Sequence, residues 1–240
     1  MKRFYKETAV DAADGGFRVL LDGKPMRTPA KTMMVVPAEA LARAIAAEWE
    51  AVPAGSELNV TYLALTRLAA TGLDRVASQR GKVVDDTAKY GASDLLCYRA
   101  TEPESLVNRQ HDAWQPLLDW AKERHGAELA VANGLTFVSQ PHAALARLRR
   151  AVEAHSDLAL SALFNLTHIS GSLVIALAVS DGRLSAEDAF TTAQLDELYQ
   201  IEKWGEDPIA TKRHEGIRHD ISAGARFLVL LGEARLKGQG

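Results

Sequence analysis

The stretch LALSALFNLTHISGSLVIALAV, residues 158–179, decides the fold of this chain. It is apolar for almost its whole length, so it lies either inside a protein core or inside a membrane. Asn165, Thr167, His168 and three serines fall within it, and such polar groups are costly in lipid. We therefore predict one central helix over residues 158–179, buried in a globular protein and not inserted in a membrane.

The composition is that of an ordinary globular protein. The chain has 240 residues, of which 47% are hydrophobic and 25% charged, and this length suffices for one large domain or two small ones. The net charge is −3, and the nearest candidate for a basic block is the short run RLRR at residues 147–150. A nucleic-acid partner is not expected, because phosphate binding needs a concentrated positive surface.

The cysteine content and the N-terminus indicate the compartment. Cys97 is the only cysteine, so no intrachain disulfide can form and a reducing compartment is expected. The opening residues MKRFYKETAV alternate like a strand and contain neither an apolar signal sequence nor an Arg/Ser-rich leader. We expect a cytosolic protein.

The N-terminal residues predict a β-containing layer with one helix on it. The first 36 residues alternate as β structure, with an Asp-Gly turn at residues 22–23. A helix follows, in which Leu41, Ile45 and Trp49 are spaced by four and lie on one face. We predict that these three side chains dock the helix against the strands and stabilise this part of the protein.

Beyond the stretch PAGSELN, residues 53–59, which is typical of a linker, the sequence becomes mainly helical. Short extended segments are predicted near 93–100 and 128–139. We therefore predict an α+β fold in two domains. A small α/β two-layer domain over 1–58 is followed by a larger, mostly α-helical orthogonal bundle over 59–240.

Motifs for catalysis or for a cofactor are not found in the sequence. His214 and His219 are five residues apart and are expected to be surface histidines, because a zinc-protease helix needs two histidines four apart on one face. The SGS stretch, residues 170–172, is not a nucleophile elbow, because residue 168 is His where that motif needs Gly. Cys97 lies in an apolar run and is predicted to fill the core. We predict no catalytic residue, no cofactor and no metal.

The stretch LDELYQIEKWGEDPIA, residues 195–210, places carboxylates where the core face of a helix should be. Drawn as a helix, it has an apolar stripe that two glutamates continue: Leu195, Leu198, Tyr199, Glu202 and Glu206. Trp204 lies on the opposite side. The carboxylates are therefore either compensated inside the protein or displayed to something outside it.

This helix is the last of several stretches that run in order across nearly the whole chain: KRFYK, LDGKPMRTPA, AIAAEWEA, LTRLAATGLD, SDLLCYRA, WQPLLDW and LDELYQIEKWGED. Together they resemble a family of assembly chaperones of the F-type ATP synthase. Members of this family, the mitochondrial ATPase assembly factor two type, act on the alpha subunit and are found in mitochondria and in alphaproteobacteria.

The resemblance implies a non-enzymatic chaperone that binds unassembled alpha subunit and shields its interface until it pairs with beta. It also implies a cytoplasmic bacterial member with eukaryotic relatives in the mitochondrial matrix, and we expect a monomer when the protein is free. The residues expected to contact the partner are Glu197, Tyr199, Glu202, Trp204, Glu206 and Asp207. Arginines of the client would be natural partners for these carboxylates.

Two alternatives stay open at this point. Glu202 or Glu206 could be satisfied by arginines of neighbouring helices, an internal pairing that would fix the helix register and bind nothing. A different class of function, a small-molecule hydrolase or a ligand-binding helical protein, would use the Glu202, Glu206, Asp207 and His214 cluster.

Overall fold

The structure is a computed structural model that describes residues 2–134, 136–205 and 207–232. The strands are β1 (Thr8–Ala13), β2 (Gly16–Leu21), β3 (Lys24–Pro25), β4 (Val35–Val36), β5 (Tyr98–Arg99) and β6 (Ala132–Asn133). The helices are α1 (Glu39–Glu50), α2 (Ala64–Thr71), α3 (Ala77–Ala88), α4 (Glu104–His125), α5 (His142–Glu153), α6 (Asp157–Ser170), α7 (Leu173–Ser180), α8 (Ala186–Ala193), α9 (Leu195–Trp204) and α10 (Pro208–Leu231). The predicted α+β class is confirmed: a small β region near the N-terminus precedes a mostly helical remainder that contains the two short strands β5 and β6.

A small antiparallel sheet forms the N-terminal layer. β1 and β2 pair as a hairpin, with Val10 opposite Val19, and β3 and β4 both pair with β2 along its other edge. The turn between β2 and β3 is the predicted Asp-Gly turn, in which Asp22 and Gly23 both have positive φ, as a tight hairpin turn requires. Helix α1 packs on β1, β2 and β4, which gives the two predicted layers.

Trp49 joins the N-terminal layer to the helical part of the chain. Leu41 and Ile45 are fully buried against the sheet, as predicted. Trp49 is half-buried: its ring contacts that of Tyr5, and its indole N–H donates to Thr66 Oγ1 on α2 at 3.0 Å. Trp49 therefore packs against both parts of the protein, whereas the sequence predicted docking against the strands alone.

Glu48 fixes the same junction from the neighbouring position. Its carboxylate oxygens accept hydrogen bonds from the backbone N–H groups of Leu65, at 2.7 Å, and Thr66, at 2.9 Å. These N–H groups lie in the first turn of α2, where no earlier carbonyl can pair with them. Buried apolar side chains form one continuous cluster from Tyr5 to Leu228. The division of the chain into domains over 1–58 and 59–240 stays a prediction.

The predicted central helix over residues 158–179 is wrong in one respect: it is two helices, α6 and α7. Gly171 adopts a φ of +70° and ends α6, and glycine takes up this conformation without the steric cost that a Cβ would impose. Ser172 then caps α7, its Oγ accepting from the Ile175 N–H at 3.0 Å. The SGS stretch is therefore the break between two buried helices, and all eight residues of α7 are buried.

The N-terminus of α7 is held by a buried carboxylate. Asp94 Oδ2 accepts from the Val174 N–H at 3.0 Å, and Asp94 Oδ1 accepts from the Leu96 N–H at 3.1 Å. Burial raises the pKa of Asp94 to about 6, although hydrogen bonds from Ser172 and the backbone oppose this rise. This single side chain thus connects the segment before β5 to the centre of the helical part.

β5 and β6 lie within the two predicted extended segments and pair with each other in parallel. Cys97, just before β5, is fully buried as predicted, and burial raises the pKa of its thiol to about 12. A thiol with such a pKa is not a nucleophile at neutral pH. In the described part of the chain, no helix combines the length and the apolarity needed to cross a membrane.

We expect Trp49→Ala to lower the free energy of unfolding by about 3 kcal/mol, since it removes the ring contact with Tyr5 and the packing at the junction. Trp49→Phe keeps a ring and loses only the hydrogen bond to Thr66, so its cost should be about 1 kcal/mol. Urea denaturation followed by circular dichroism measures both. Equal midpoints for wild type and Trp49→Ala would contradict the joining role of Trp49.

Asp94 should make stability depend on pH with a defined sign. Its pKa is higher in the folded protein than the value near 3.9 of an unfolded chain, so the folded state binds its proton more readily. The stability from this linkage is present below pH 4 and is lost as pH rises through about 6. Relative to Asp94→Asn, wild type should therefore lose about 2 kcal/mol of unfolding free energy between pH 4.5 and 7.5. A difference that does not change with pH would contradict this assignment.

Candidate functional site

Helix α9 is anchored to α4 through one buried aromatic residue. Tyr199 is the only buried residue of α9, with 4% of its surface exposed. Its hydroxyl forms a hydrogen bond of 2.6 Å with Ser105 Oγ near the start of α4. The guanidinium of Arg109 and the ammonium of Lys203 lie 5.1 Å and 5.4 Å from the ring centroid, in cation–π range. Tyr199 therefore holds the buried side of α9 against α4.

Glu202 is paired but not buried. Arg109 holds it with a two-pronged contact, Nη1 to Oε2 at 2.5 Å and Nη2 to Oε1 at 3.0 Å, and 49% of the Glu202 side chain is exposed. The hydrogen bond from Arg109 lowers the pKa of Glu202, so the group is a carboxylate at neutral pH. The sequence left open whether Glu202 is paired within the protein or displayed to a partner. Glu202 is paired with Arg109 of a neighbouring helix, and its carboxylate is also exposed to solvent. Glu206 lies outside the described residues.

Glu197 connects α9 to α10. Its carboxylate contacts Arg213 and lies 2.7 Å from His214 Nε2. Burial acts to raise the pKa of Glu197, but the bonds from His214 and Arg213 outweigh it and lower the pKa. The expectation that His214 is a surface histidine is wrong: it is buried, with its ring edge-on to Phe190. His219, by contrast, is exposed.

The connection between α9 and α10 exposes two large apolar side chains. Gly205, with a φ of +90°, ends α9, and Asp207 caps α10 by accepting from the Ile209 N–H at 3.1 Å. Trp204 is 78% exposed and Ile209 is 80% exposed. A tryptophan and an isoleucine exposed at the facing ends of two consecutive helices are a feature of protein-binding surfaces.

Sequence reasoning found Trp204 and missed Ile209 and the α4 residues. Ile209 follows Pro208 at the start of α10, and an exposed residue in a first turn carries no periodicity signal. On α4, Arg109 contacts Glu202, and Gln110 donates to Asp196 of α9 at 2.7 Å. These α4 residues are 86 or more positions away in the sequence, so nothing local could have indicated them.

The alternative of a hydrolase or ligand-binding protein needs the Glu202, Glu206, Asp207 and His214 cluster to act together. Glu206 lies outside the described residues, and the other three have separate roles. Glu202 binds Arg109, Asp207 caps α10, and His214 binds Glu197. Within the described ranges, no three His, Cys, Asp or Glu side chains group in a way that could hold a metal ion. Each group is occupied by a different structural partner.

A protein-family model described as the ATP12 chaperone protein matches residues 2–122 of the chain, half of its length. The chain belongs to the ATP12 chaperone family. Members of this family are assembly chaperones of ATP synthase, which is a non-enzymatic role. The family resemblance found in the sequence is thereby confirmed.

Solved structures agree with this assignment over nearly the whole chain. Atp12 from Paracoccus denitrificans is 37% identical, with a TM-score of 0.89, and the match covers 96% of this chain and 98% of that one. The Atu1473 protein from Agrobacterium tumefaciens is 40% identical, with a TM-score of 0.91 over 96% of this chain and 86% of that one.

A sequence relative belongs to the same family. Mitochondrial atp12 from Schizosaccharomyces pombe is 24% identical over 215 residues, 85% of this chain and 74% of the yeast protein.

The two ion-paired glutamates of α9 should respond differently to loss of charge. Glu202→Gln should melt close to wild type, because its pair with Arg109 is solvent-exposed. Glu197→Gln should cost about 1 kcal/mol, since it weakens the partner of the buried His214. Thermal melts of both variants test this. Equal losses of stability would show that the difference in burial has no energetic consequence.

Proposed function

We propose that this ATP12-family protein binds unassembled alpha subunit of the F-type ATP synthase and shields its interface until alpha pairs with beta. The observation that carries the proposal is the joint exposure of Trp204 and Ile209 at the turn between α9 and α10. Tryptophan is enriched among the residues that dominate binding energy at protein interfaces. Burying both side chains against a client would remove a large apolar area from water.

The two helices that flank the turn are tied to each other and to α4. Glu197 links α9 to α10 through Arg213 and His214, and Asp207 caps the helix that follows the turn. Tyr199 fixes α9 on α4 through Ser105. A surface that is already ordered loses little conformational entropy on binding. These contacts support the view that Trp204 and Ile209 are presented as rigid anchors.

Glu202 and Asp207 supply negative charge beside these anchors. Arg109 and Lys203 contact the carboxylate of Glu202, which remains half-exposed and has further acceptor positions. A client arginine could bind there, and interface rims are typically of this mixed polar kind. Glu206 is proposed as a further contact on sequence grounds alone, and Tyr199 and Glu197 act by holding the surface.

We further propose that the protein acts as a monomer in the bacterial cytoplasm, where F-type alpha subunits are made. The single cysteine, which is buried, suits a reducing compartment. The relative from Schizosaccharomyces pombe is named as mitochondrial. On alpha, the proposed binding surface is the interface that pairs with beta after assembly and is exposed before it.

Trp204→Ala and Ile209→Ala should each weaken capture of alpha subunit by about tenfold or more without lowering the melting temperature. The physical reason is that both side chains are exposed in the free protein, so truncation removes no internal packing. Capture of purified alpha on immobilised protein, followed by quantitative elution, measures the effect.

Phe137→Ala is the matched control, because Phe137 is an aromatic residue with a similar exposure of 75% at a distant position in the sequence. It should bind alpha like wild type. Undiminished capture by Trp204→Ala and Ile209→Ala together would refute the proposed surface, and capture of beta in place of alpha would refute the proposed client.

A further inference from the structure

A cleft of about 650 Å³ lies between the N-terminal sheet and α2, away from the residues of the α9–α10 turn. We call it the Trp49 cleft. Its apolar lining comes from both parts of the protein: Met26, Met34, Trp49, Leu63 and Ala70. A volume of this size is typical of binding sites for small molecules and for side chains of a partner. The chaperone surface described above makes no use of it.

One wall of the Trp49 cleft has an unusual backbone. Residues Gly72–Val76, between α2 and α3, form a π-helix. Such segments are rare and occur frequently at functional sites, because they cost stability. Gly72 allows the close packing here: a Cβ at this position would lie 2.7 Å from Leu158 Cδ2. Asp74 and Arg75 belong to this π-helix, and both line the cleft.

Asp74 fixes the two walls relative to each other. Its carboxylate accepts from Thr28 Oγ1 at 2.7 Å and from the Ala30 N–H at 3.1 Å. Both donors belong to the loop between β3 and β4, on the opposite side of the cleft. The cleft is therefore preformed, with its single acidic lining residue already hydrogen-bonded.

Positive charge is in excess around the opening. Three arginines line the cleft against the one aspartate. Arg67 pairs with Asp220 on α10 at 3.3 Å, but neither Arg27 nor Arg75 has a carboxylate partner in the described part of the chain. Arg27 makes one side-chain hydrogen bond, to the Lys31 carbonyl. The Arg75 guanidinium lies 5.4 Å from the centroid of the Phe164 ring, and its N–H groups have no acceptor among the described residues.

The Arg75 guanidinium is within cation–π range of Phe164, and its N–H groups, which donate to no described residue, are free to bind a planar carboxylate. We propose that the Trp49 cleft binds an extended segment of the client protein, in which an apolar side chain enters the cleft and a neighbouring Asp or Glu contacts Arg27 and Arg75. The proposal rests on the proposed function in taking the client to be the alpha subunit. It adds a second contact, with apolar-acidic specificity, to the exposed anchors on the α9–α10 turn.

Short overlapping peptides that span the alpha subunit test the cleft directly. The indole N–H resonance of Trp49, assigned by its absence in Trp49→Phe, reports occupancy in the nitrogen-labelled protein. At least one peptide with an apolar residue next to an acidic one should shift this resonance saturably. Arg27→Glu combined with Arg75→Glu should weaken that binding by about tenfold or more.

Arg150→Glu is the matched control, since Arg150 is exposed and, within the described chain, forms no ion pair. It should leave peptide binding unchanged. The double variant should melt close to wild type, because it breaks no ion pair and loses only the exposed Arg27 hydrogen bond and the Arg75–Phe164 contact. If no peptide moves the Trp49 resonance, or if the double variant binds as well as wild type, the cleft is not such a site.

Capture of intact alpha separates this proposal from the function on which it rests. Peptide binding at Trp49 without capture of intact alpha would support the cleft and refute the proposed client. Capture of alpha with no peptide effect and no loss in the double variant would support the function and refute the cleft. Failure of both measurements would refute both.

Discussion

Helix α7 is buried along its whole length, and its N-terminal N–H groups therefore need partners from inside the protein. Asp94 and Ser172 supply them. Gly171 makes this possible, because its positive φ separates α7 from α6 and lets both helices pack in the core. α7 is packed by α4, α6, α8 and α10. The positions of these helices therefore depend on the hydrogen bonds that hold the N-terminus of α7.

The candidate binding surface depends on the core only indirectly. Helix α9 fully buries one residue, Tyr199, and packs the partly buried Leu195 and Leu198 against the core. Polar bridges to α4 and α10 hold it in addition. This arrangement leaves the apolar side chains of Trp204 and Ile209 free of internal roles. If Trp204 and Ile209 bind the client as we propose, stability and recognition are carried by different residues.

Local sequence pattern predicts much of the fold but less of the candidate binding surface. Leu41 and Ile45 could be placed in the core because they are four residues apart on one helix face. Cys97 could be placed there because its sequence neighbours are apolar. The helix break at Gly171 was missed because hydrophobicity does not change across it. Periodicity put Glu202 on the core face of α9, yet Arg109, 93 residues earlier, pairs with it at the surface. The spacing of His214 and His219 argued only against a metal site and carried no information on burial. The residues that surround His214, Glu197 and Phe190, lie 17 and 24 positions earlier in the sequence.

Hydrogen exchange of the protein, alone and with purified alpha subunit, tests the central claim most directly. Amides in the last turn of α9 and the first turn of α10 flank the exposed Trp204 and Ile209, and a client that covers these side chains should slow their exchange. We predict selective protection of peptides containing these turns when alpha is added, and none when beta is added. A stable complex with alpha in which exchange at these turns is unchanged would contradict the account.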